Sequence, residues 1–177
     1  MKFLLCLMGA GLICGGCASV SPQQYAREQP VLDLRRYLEG SLEAWGMFQN
    51  RQGEVVKRFH VALSGTWSND VGRLEEDFSY ADGTKQKRVW TITRVNDHQY
   101  TGTADDVVGV AQGEAFGNAL NWRYTLALPV NGKVYNVAFD DWMFLMDDDV
   151  MLNRAVMSKW GFKLGEVTLA FRKVQKP

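Results

Sequence analysis

The stretch LNWRYTLALPVNGKVYNVAFDDWMFL, residues 120–145, holds two runs of alternating apolar and polar side chains on either side of a turn. In the first run, the even positions from Leu120 to Leu128 are apolar or aromatic. Successive side chains of a β-strand point to opposite faces, so this period of two predicts a strand with one buried face. Asn131-Gly132 is a strong signal for a tight hairpin turn. The stretch therefore predicts two antiparallel strands.

The same alternation recurs along the chain, for example over residues 55–67 and 167–171, and Asp82-Gly83 supplies a second hairpin signal. Long strands at this spacing predict an all-β fold. The predicted architecture is an antiparallel up-and-down barrel of the lipocalin or calycin kind with about nine or ten strands. Residues 31–43 have a mixed apolar and charged pattern that predicts one short N-terminal helix.

The first residues have the order of a bacterial secretory signal. Lys2 is followed by the apolar run 3–13, then by the small residues Gly15-Gly16 and by Cys17. Small residues followed by cysteine resemble a lipobox, although Cys14 stands where a leucine is usual. We therefore expect residues 1–16 to be a lipoprotein signal peptide and Cys17 to be the lipid attachment site.

Two other interpretations of this segment remain open. Cys14 and Cys17 have the spacing of a redox or metal-binding pair, but no histidine is near them. Residues 3–20 are uncharged and reach the lower limit of a membrane-spanning helix. All three cysteines lie within this segment, so the rest of the chain has neither a disulfide nor a cysteine nucleophile.

The favoured interpretation divides the chain into three parts. Residues 1–16 are the signal peptide, residues 17–30 a lipidated polar tether, and residues 31–177 a single barrel domain. No aspartate follows Cys17, which favours the outer membrane over the inner one. We expect a lipid-anchored protein of the bacterial cell envelope that faces the periplasm and is attached to the membrane through Cys17.

Charge and motif content exclude several classes of function. Twenty basic side chains balance twenty acidic ones, and no basic stripe suggests a nucleic-acid partner. The densest basic cluster, Lys85, Lys87 and Arg88, is interpreted as a solvated hairpin end. No HExxH, GxSxG, P-loop or dinucleotide-binding motif occurs. The sequence therefore predicts no catalytic residue, metal ligand or cofactor, and it favours a role without catalysis.

Asp140 and Asp141 are adjacent on a predicted strand, so one of the two should point into the barrel. A buried carboxylate is costly unless it is paired. Its candidate partners are Arg123, Arg154, Lys159 and Arg172. Three roles remain open for such a pair: a structural ion pair, a polar anchor for a ligand head group, or a catalytic group.

A closed barrel of this size can enclose one small or elongated ligand. Aromatic residues on the predicted inner faces would supply its apolar lining, or would simply form the core. Nine residues are predicted to bind the ligand: Trp67, Trp90, Trp122, Arg123, Tyr124, Phe139, Asp141, Trp142 and Arg154.

Six stretches between residues 32 and 173 together resemble the uncharacterised proteobacterial lipoproteins of domain-of-unknown-function family 3833. They are LDLRRYLEG, EAWGMFQNR, RVWTITR, YTGTADDVVGVAQGEAFGNALNWRYTL, FDDWMFL and NRAVMSKWGFKLGEVTLAFRK. The resemblance implies a lipoprotein leader and a compact β-rich domain, and it implies no activity. Members of the family are often encoded near enzymes of the cyclopropane-fatty-acid-synthase kind, which directs the ligand prediction towards lipids.

The function expected from these observations is non-catalytic binding or handling of a hydrophobic ligand, such as a fatty acyl chain, in the cell envelope. Two alternatives belong to other classes. One is an enzyme or accessory subunit that acts on membrane lipids, and the other is a structural lipoprotein with a filled barrel that docks a partner. The interior of the barrel distinguishes them, because only the structural lipoprotein needs no cavity.

Overall fold

A computed structural model describes residues 20–174 as a closed antiparallel barrel. Each strand pairs with the next one along the chain, and the last pairs with the first. The strands are β1 (Gly40–Asn50), β2 (Val55–Ser68), β3 (Val71–Tyr80), β4 (Lys85–Arg94), β5 (Gln99–Thr103), β6 (Ala111–Phe116), β7 (Ala119–Val130), β8 (Lys133–Leu145), β9 (Val150–Lys159) and β10 (Phe162–Lys173). The predicted all-β up-and-down barrel is confirmed, with ten strands in the described residues.

The predicted short N-terminal helix is present within residues 31–43. Helix α1 spans Leu34–Leu38, and the side chain of Asp33 caps it by accepting hydrogen bonds from two backbone N–H groups of its first turn. Gly40 takes a φ of 87°, which a continuing helix does not allow. The last four residues of that stretch, 40–43, begin β1, because they pair with β2 or β10.

Helix α1 closes one end of the barrel, which we call the plugged end. Leu34 and Leu38 are buried there, and the Tyr37 hydroxyl donates a hydrogen bond to the Asp149 carbonyl at 3.2 Å. The backbone of α1 lies so close to β2 that a Cβ at Gly65 would come 1.8 Å from the Leu38 carbonyl oxygen. Only glycine allows this approach.

The opposite end, which we call the open end, has an irregular wall. Strands β5 and β6 are short, so the regular ladders stop at Thr103 on β5 and at Gln112 on β6. The 104–110 loop completes the wall between β4 and β7. Its Val107 forms an isolated bridge with Leu126 on β7. This loop brings Asp106 next to the inner surface of β4, where it accepts hydrogen bonds from Arg88.

Residues 20–30, the described part of the predicted tether, lie against the outside of the barrel. The ring of Tyr25 packs edge-on against Trp142 at 6.0 Å and Phe144 at 5.1 Å. The Leu32 N–H donates to the Gly117 carbonyl at 2.8 Å. Cys17 and the predicted signal peptide lie outside the described residues. Among residues 20–174, no helix is both long and apolar enough to cross a membrane.

Candidate ligand-binding cavity

A cavity of about 970 Å³ occupies the inside of the barrel. It extends from Leu34 and Leu38 at the plugged end to Lys57, Lys85 and Asn131 at the open end. Its lining is largely apolar and aromatic. Ligand pockets are typically about 300–1,000 Å³ with a few placed polar groups, so this cavity has the size and composition of a binding site.

Four of the predicted aromatic residues form one packed layer in the wall of this cavity. Trp90 packs edge-to-face against Trp122 at 5.8 Å and against Tyr124 at 5.4 Å, while Tyr124 stacks on Phe139 at 4.9 Å. A Cβ at Gly113 would lie 2.3 Å from the Trp122 indole, so glycine leaves room for this ring. The layer is preorganised by contacts within the protein.

Arg88 points into the barrel, with its side chain only 12% exposed. Its Nε and Nη2 donate hydrogen bonds to the Asp106 carboxylate at 3.0 and 2.8 Å, and its Nη1 lies 3.6 Å from Glu76 Oε2. Burial alone would lower the pKa of the guanidinium, but the Asp106 hydrogen bonds and the charge of Glu76 raise it above its ordinary value. Arg88 is therefore a permanently charged group in an apolar wall.

Glu76 lies opposite Arg88 in the register between β3 and β4. Burial raises the pKa of its carboxyl, while Arg88 and a hydrogen bond from the Trp90 indole act in the opposite direction. The net shift is upward, so burial outweighs the ion pair. The pairing positions Glu76 without fully compensating its loss of hydration.

Asp141 is 7% exposed and lines the cavity from β8. Burial, assisted by the neighbouring charge of Asp140, raises its pKa to about 8, although Arg88 and a hydrogen bond from Tyr124 oppose the shift. Its Oδ1 atom has no hydrogen-bond partner. The prediction that one of the paired aspartates points inward is confirmed, and at neutral pH this carboxyl is mostly protonated.

Five side chains thus form what we call the polar cluster: Glu76, Arg88, Asp106, Tyr124 and Asp141. The cluster combines three carboxyl groups with one guanidinium, so it can donate and accept several hydrogen bonds inside an otherwise apolar cavity. Within residues 20–174, no group of three or more His, Cys, Asp or Glu side chains is placed to hold a metal ion.

Two predicted anchors do not reach the cavity. Arg123 is 61% exposed, and its Nε lies 3.5 Å from Asp140 on the outer face. Arg154 is 65% exposed and pairs with Glu166, also outside. The expectation that they face Asp141 is wrong. Side chains alternate between the two faces of a strand, and each arginine falls on an outward-facing position of its own strand. The pairing register also places each arginine opposite an outward-facing residue of β8.

Two predicted tryptophans also lie away from the cavity lining. Trp142 is on the outer face of β8, where it stacks on Phe144 at 6.1 Å beneath Tyr25. Trp67 packs over Gly72 near the end of β2, on the side of the plugged end. The five remaining predicted residues, Trp90, Trp122, Tyr124, Phe139 and Asp141, do line the cavity together.

The sequence-based interpretation missed Glu76, Arg88 and Asp106. Glu76 occupies an even position of β3 between Leu74 and Phe78, so strict parity alone would have placed it inside. Arg88 shares the parity of the inward-facing residues of β4, and the interpretation of it as part of a solvated hairpin end is wrong. Nothing in the sequence indicated that Asp106 lines the cavity, because it lies in a loop whose path depends on the tertiary structure.

The barrel and its cavity define a β-barrel protein of the lipocalin-like kind. Residues 11–173 match the family described as protein of unknown function DUF3833, and the chain belongs to this family. The predicted family is therefore confirmed. No curated protein matches the chain in sequence.

Two solved structures have similar folds. An S-type phycobiliprotein lyase, CPES from Guillardia theta, aligns with a TM-score of 0.56 and 8% identity over 78% of this chain and 89% of the lyase. A DUF3598 family protein of unknown function from Nostoc punctiforme aligns with a TM-score of 0.60 and 15% identity over 83% of this chain and 51% of that one. At these identities the likeness concerns the fold alone.

Proposed function

We propose that this protein binds a hydrophobic ligand, such as a fatty acyl chain, inside its barrel, without catalysis and in the bacterial cell envelope. The single observation that carries the proposal is the largely apolar cavity of about 970 Å³ that reaches the open end. A barrel that served only to dock a partner would be expected to be filled, because an unfilled apolar cavity lowers stability.

The aromatic layer supports the same function. Trp90, Trp122 and Tyr124 are held in place by one another, so a ligand that packs on them needs little rearrangement of the wall. Preorganised apolar surfaces lose little conformational entropy on binding. The contact of a long alkyl chain with these rings would bury apolar area on both sides.

The test is native mass spectrometry of the mature protein, combined with extraction and identification of whatever lipid co-purifies with it. We expect a bound lipid, or uptake of a fatty acid that is offered to the empty protein. Repeated recovery of empty protein that takes up neither an offered fatty acid nor an offered long-chain alcohol or amine would overturn the proposal.

A matched pair of variants tests whether the ligand binds in the cavity. Ala155 is buried in the cavity wall, so Ala155→Phe should narrow the cavity and weaken binding. Ala138 is exposed on the outer face of β8, so Ala138→Phe adds the same ring outside and should leave binding unchanged. Equal loss in both variants would show that the cavity is not the binding site.

The lipid anchor is a separate part of the proposal, with attachment through Cys17 to the outer membrane on its periplasmic side. Two or more acyl chains give stable anchoring. The three residue-to-residue steps from Cys17 to Val20 reach at most about 11 Å, so an anchored barrel would stay close to the membrane surface. Cys17→Ser should abolish acyl labelling and release the protein from membranes, whereas Cys14→Leu should do neither. Continued labelling of the Cys17→Ser protein would refute the site.

A second candidate is an enzyme or accessory subunit that acts on membrane lipids. The observation that favours it is the convergence of Glu76 and Asp141, two carboxyls with raised pKa values, in one cavity. Incubation with defined phospholipids and mass spectrometry of the products tests it. Turnover that Asp141→Asn abolishes and Asp140→Asn retains would establish this candidate in place of the first.

A further inference from the structure

The polar cluster restricts the chemistry of the ligand's polar group. We propose that the ligand carries a hydrogen-bond-donating group, a protonated amine or an uncharged hydroxyl or amide, that binds at Asp141, and that it does not present a carboxylate there. This inference rests on the proposed function, because it concerns the ligand of the same cavity.

The first argument is the geometry around the only guanidinium of the polar cluster. Nε and Nη2 of Arg88 already donate to Asp106, and Nη1 faces Glu76. A ligand carboxylate beside Asp141 would therefore find Arg88 already engaged by Asp106 and Glu76. Burying a carboxylate in an apolar wall without a free cation to pair with it is unfavourable.

The second argument is the unpartnered oxygen of Asp141. The residue is more than nine-tenths buried and lines the cavity, yet its Oδ1 has no hydrogen-bond partner. A buried acceptor without a partner costs about 1–3 kcal/mol, and nearly all buried polar groups in folded proteins are satisfied. A donor on the ligand would satisfy this atom as an acceptor, whereas a carboxylate could pair with it only by accepting the proton that Asp141 carries.

An ammonium group at this position would also favour the ionised form of Asp141. Its binding at neutral pH should therefore release a proton, because the empty protein keeps this carboxyl mostly protonated. The titratable and charged groups that act on Asp141 are Glu76 from β3, Arg88 from β4, Tyr124 from β7 and Asp140 beside it on β8.

Lysines at the mouth offer a competing place for an anionic head group. Lys57 and Lys85 line the open end of the cavity. Lys57 is about half exposed and lies 3.7 Å from Asp82, so it is hydrated and partly neutralised. Contacts with such exposed charges are weak. A fatty acid held with its carboxylate at these lysines would leave Asp141 unused, and the experiment distinguishes this arrangement.

The experiment compares decylamine, decanol and decanoate as probes of equal chain length, with affinities measured by isothermal titration calorimetry at pH 7. We expect decylamine and decanol to bind at least about tenfold more tightly than decanoate. Decylamine binding should release a proton, which is read from the heats in two buffers of different ionisation enthalpy, and this measurement needs no variant.

Asp141→Asn and Asp140→Asn form a matched pair, since the two residues are adjacent and lie on opposite faces of β8. Asp141→Asn should weaken decylamine binding about tenfold or more and abolish proton release, while decanol affinity changes little. Asp140→Asn should change the decylamine affinity far less, because it removes only one neighbouring charge that helps to raise the pKa of Asp141, and it should leave the other two affinities unchanged.

Four results would overturn the inference. They are decanoate binding as tightly as decylamine, an unchanged decylamine affinity in Asp141→Asn, decylamine binding by the wild-type protein without proton release, and no binding of any probe. In the first three cases a probe still binds, so the proposed function survives. Only the last result counts against both the inference and the proposed function.

Discussion

The same chemical group differs in exposure and in electrostatics between the inner and outer faces of the barrel wall. Asp140 and Asp141 are neighbours in the chain, but Asp140 is about half exposed beside Arg123, whereas Asp141 is buried with its pKa raised to about 8. A step of one residue along β8 thus separates a solvated surface carboxylate from a buried acid. The face on which a residue falls in the alternation along the strand, rather than its type, determines whether its carboxyl group is hydrated or buried.

The arginines show the same contrast. Arg123 on the outer face makes one distant ion pair in water, of a kind that contributes about 0–1 kcal/mol. Arg88 on the inner face compensates two buried or half-buried carboxyls and has its pKa raised. The difference lies in desolvation, which makes each unpaired charge expensive on the inside only.

The largest expected difference between the inside of the barrel and its exposed surface concerns tryptophan. Trp122→Ala should lower the free energy of unfolding by about 3–5 kcal/mol, because it removes a buried ring from the packed layer and leaves a cavity. Trp160→Ala is the control, since this side chain is 86% exposed, and it should change stability by less than about 0.5 kcal/mol. Urea unfolding measures both. Trp160 lies in the turn between β9 and β10, so similar losses in the two variants would contradict the burial of Trp122 in the packed layer.

Arginine gives the next largest difference. Arg88→Met should destabilise the protein by about 2–4 kcal/mol, because Glu76 and Asp106 lose their cationic partner. Arg123→Met on the outer face should cost less than about 1 kcal/mol. Chemical denaturation at pH 7 compares them. An Arg88→Met protein as stable as the Arg123→Met protein would show that the inner ion pair is not needed.

Aspartate gives a difference that depends on pH. The pKa of Asp141 is about 8 in the folded protein, well above the ordinary value of an exposed aspartate, so the folded state binds this proton more tightly than the unfolded chain does. The resulting stability is complete at low pH and is lost as the pH rises towards 8. Between pH 6 and 8 the wild-type protein should lose about 2 kcal/mol through this residue.

Asp141→Asn should remove that part of the pH dependence. The pKa of Glu76 is also raised, so a slope of the same sign remains in the variant. Asp140→Asn should keep most of the wild-type slope, because it removes only the smaller contribution of a neighbouring charge and leaves the burial of Asp141 intact. Urea unfolding at a series of pH values checks both variants, and an unchanged slope in Asp141→Asn would argue against a buried acid at this position.

The smallest expected effect belongs to Arg154. Arg154→Ala should change stability by less than about 1 kcal/mol, because its partner Glu166 also pairs with Lys163 at 2.7 Å on the solvent side. Ligand affinity should not change. Titration with the lipid recovered from the native protein tests this point, and a clear loss of affinity would place the anchor outside the cavity described above.

Much of the barrel was predictable, because alternation and turn chemistry are local properties. The runs on β7 and β8 and the Asn131-Gly132 turn determine strands, parity and a hairpin without reference to the rest of the chain. The same parity predicts that Trp122 and Tyr124 face inward and that Arg123 faces outward. Pairing Arg123 with an inward aspartate ignored that constraint, so this error was avoidable from the sequence.

The sequence by itself therefore determined the class of fold, the inner and outer faces of most strands, and an acidic residue on the inner face at position 141. Only the tertiary structure decided how the wall closes around the short strands β5 and β6, and hence that Asp106 meets Arg88. It also decided that the cavity stays open and that Asp141 Oδ1 has no partner. The reason is physical: strand parity depends on neighbours in the chain, whereas cavities and buried ion pairs depend on residues that are distant in sequence.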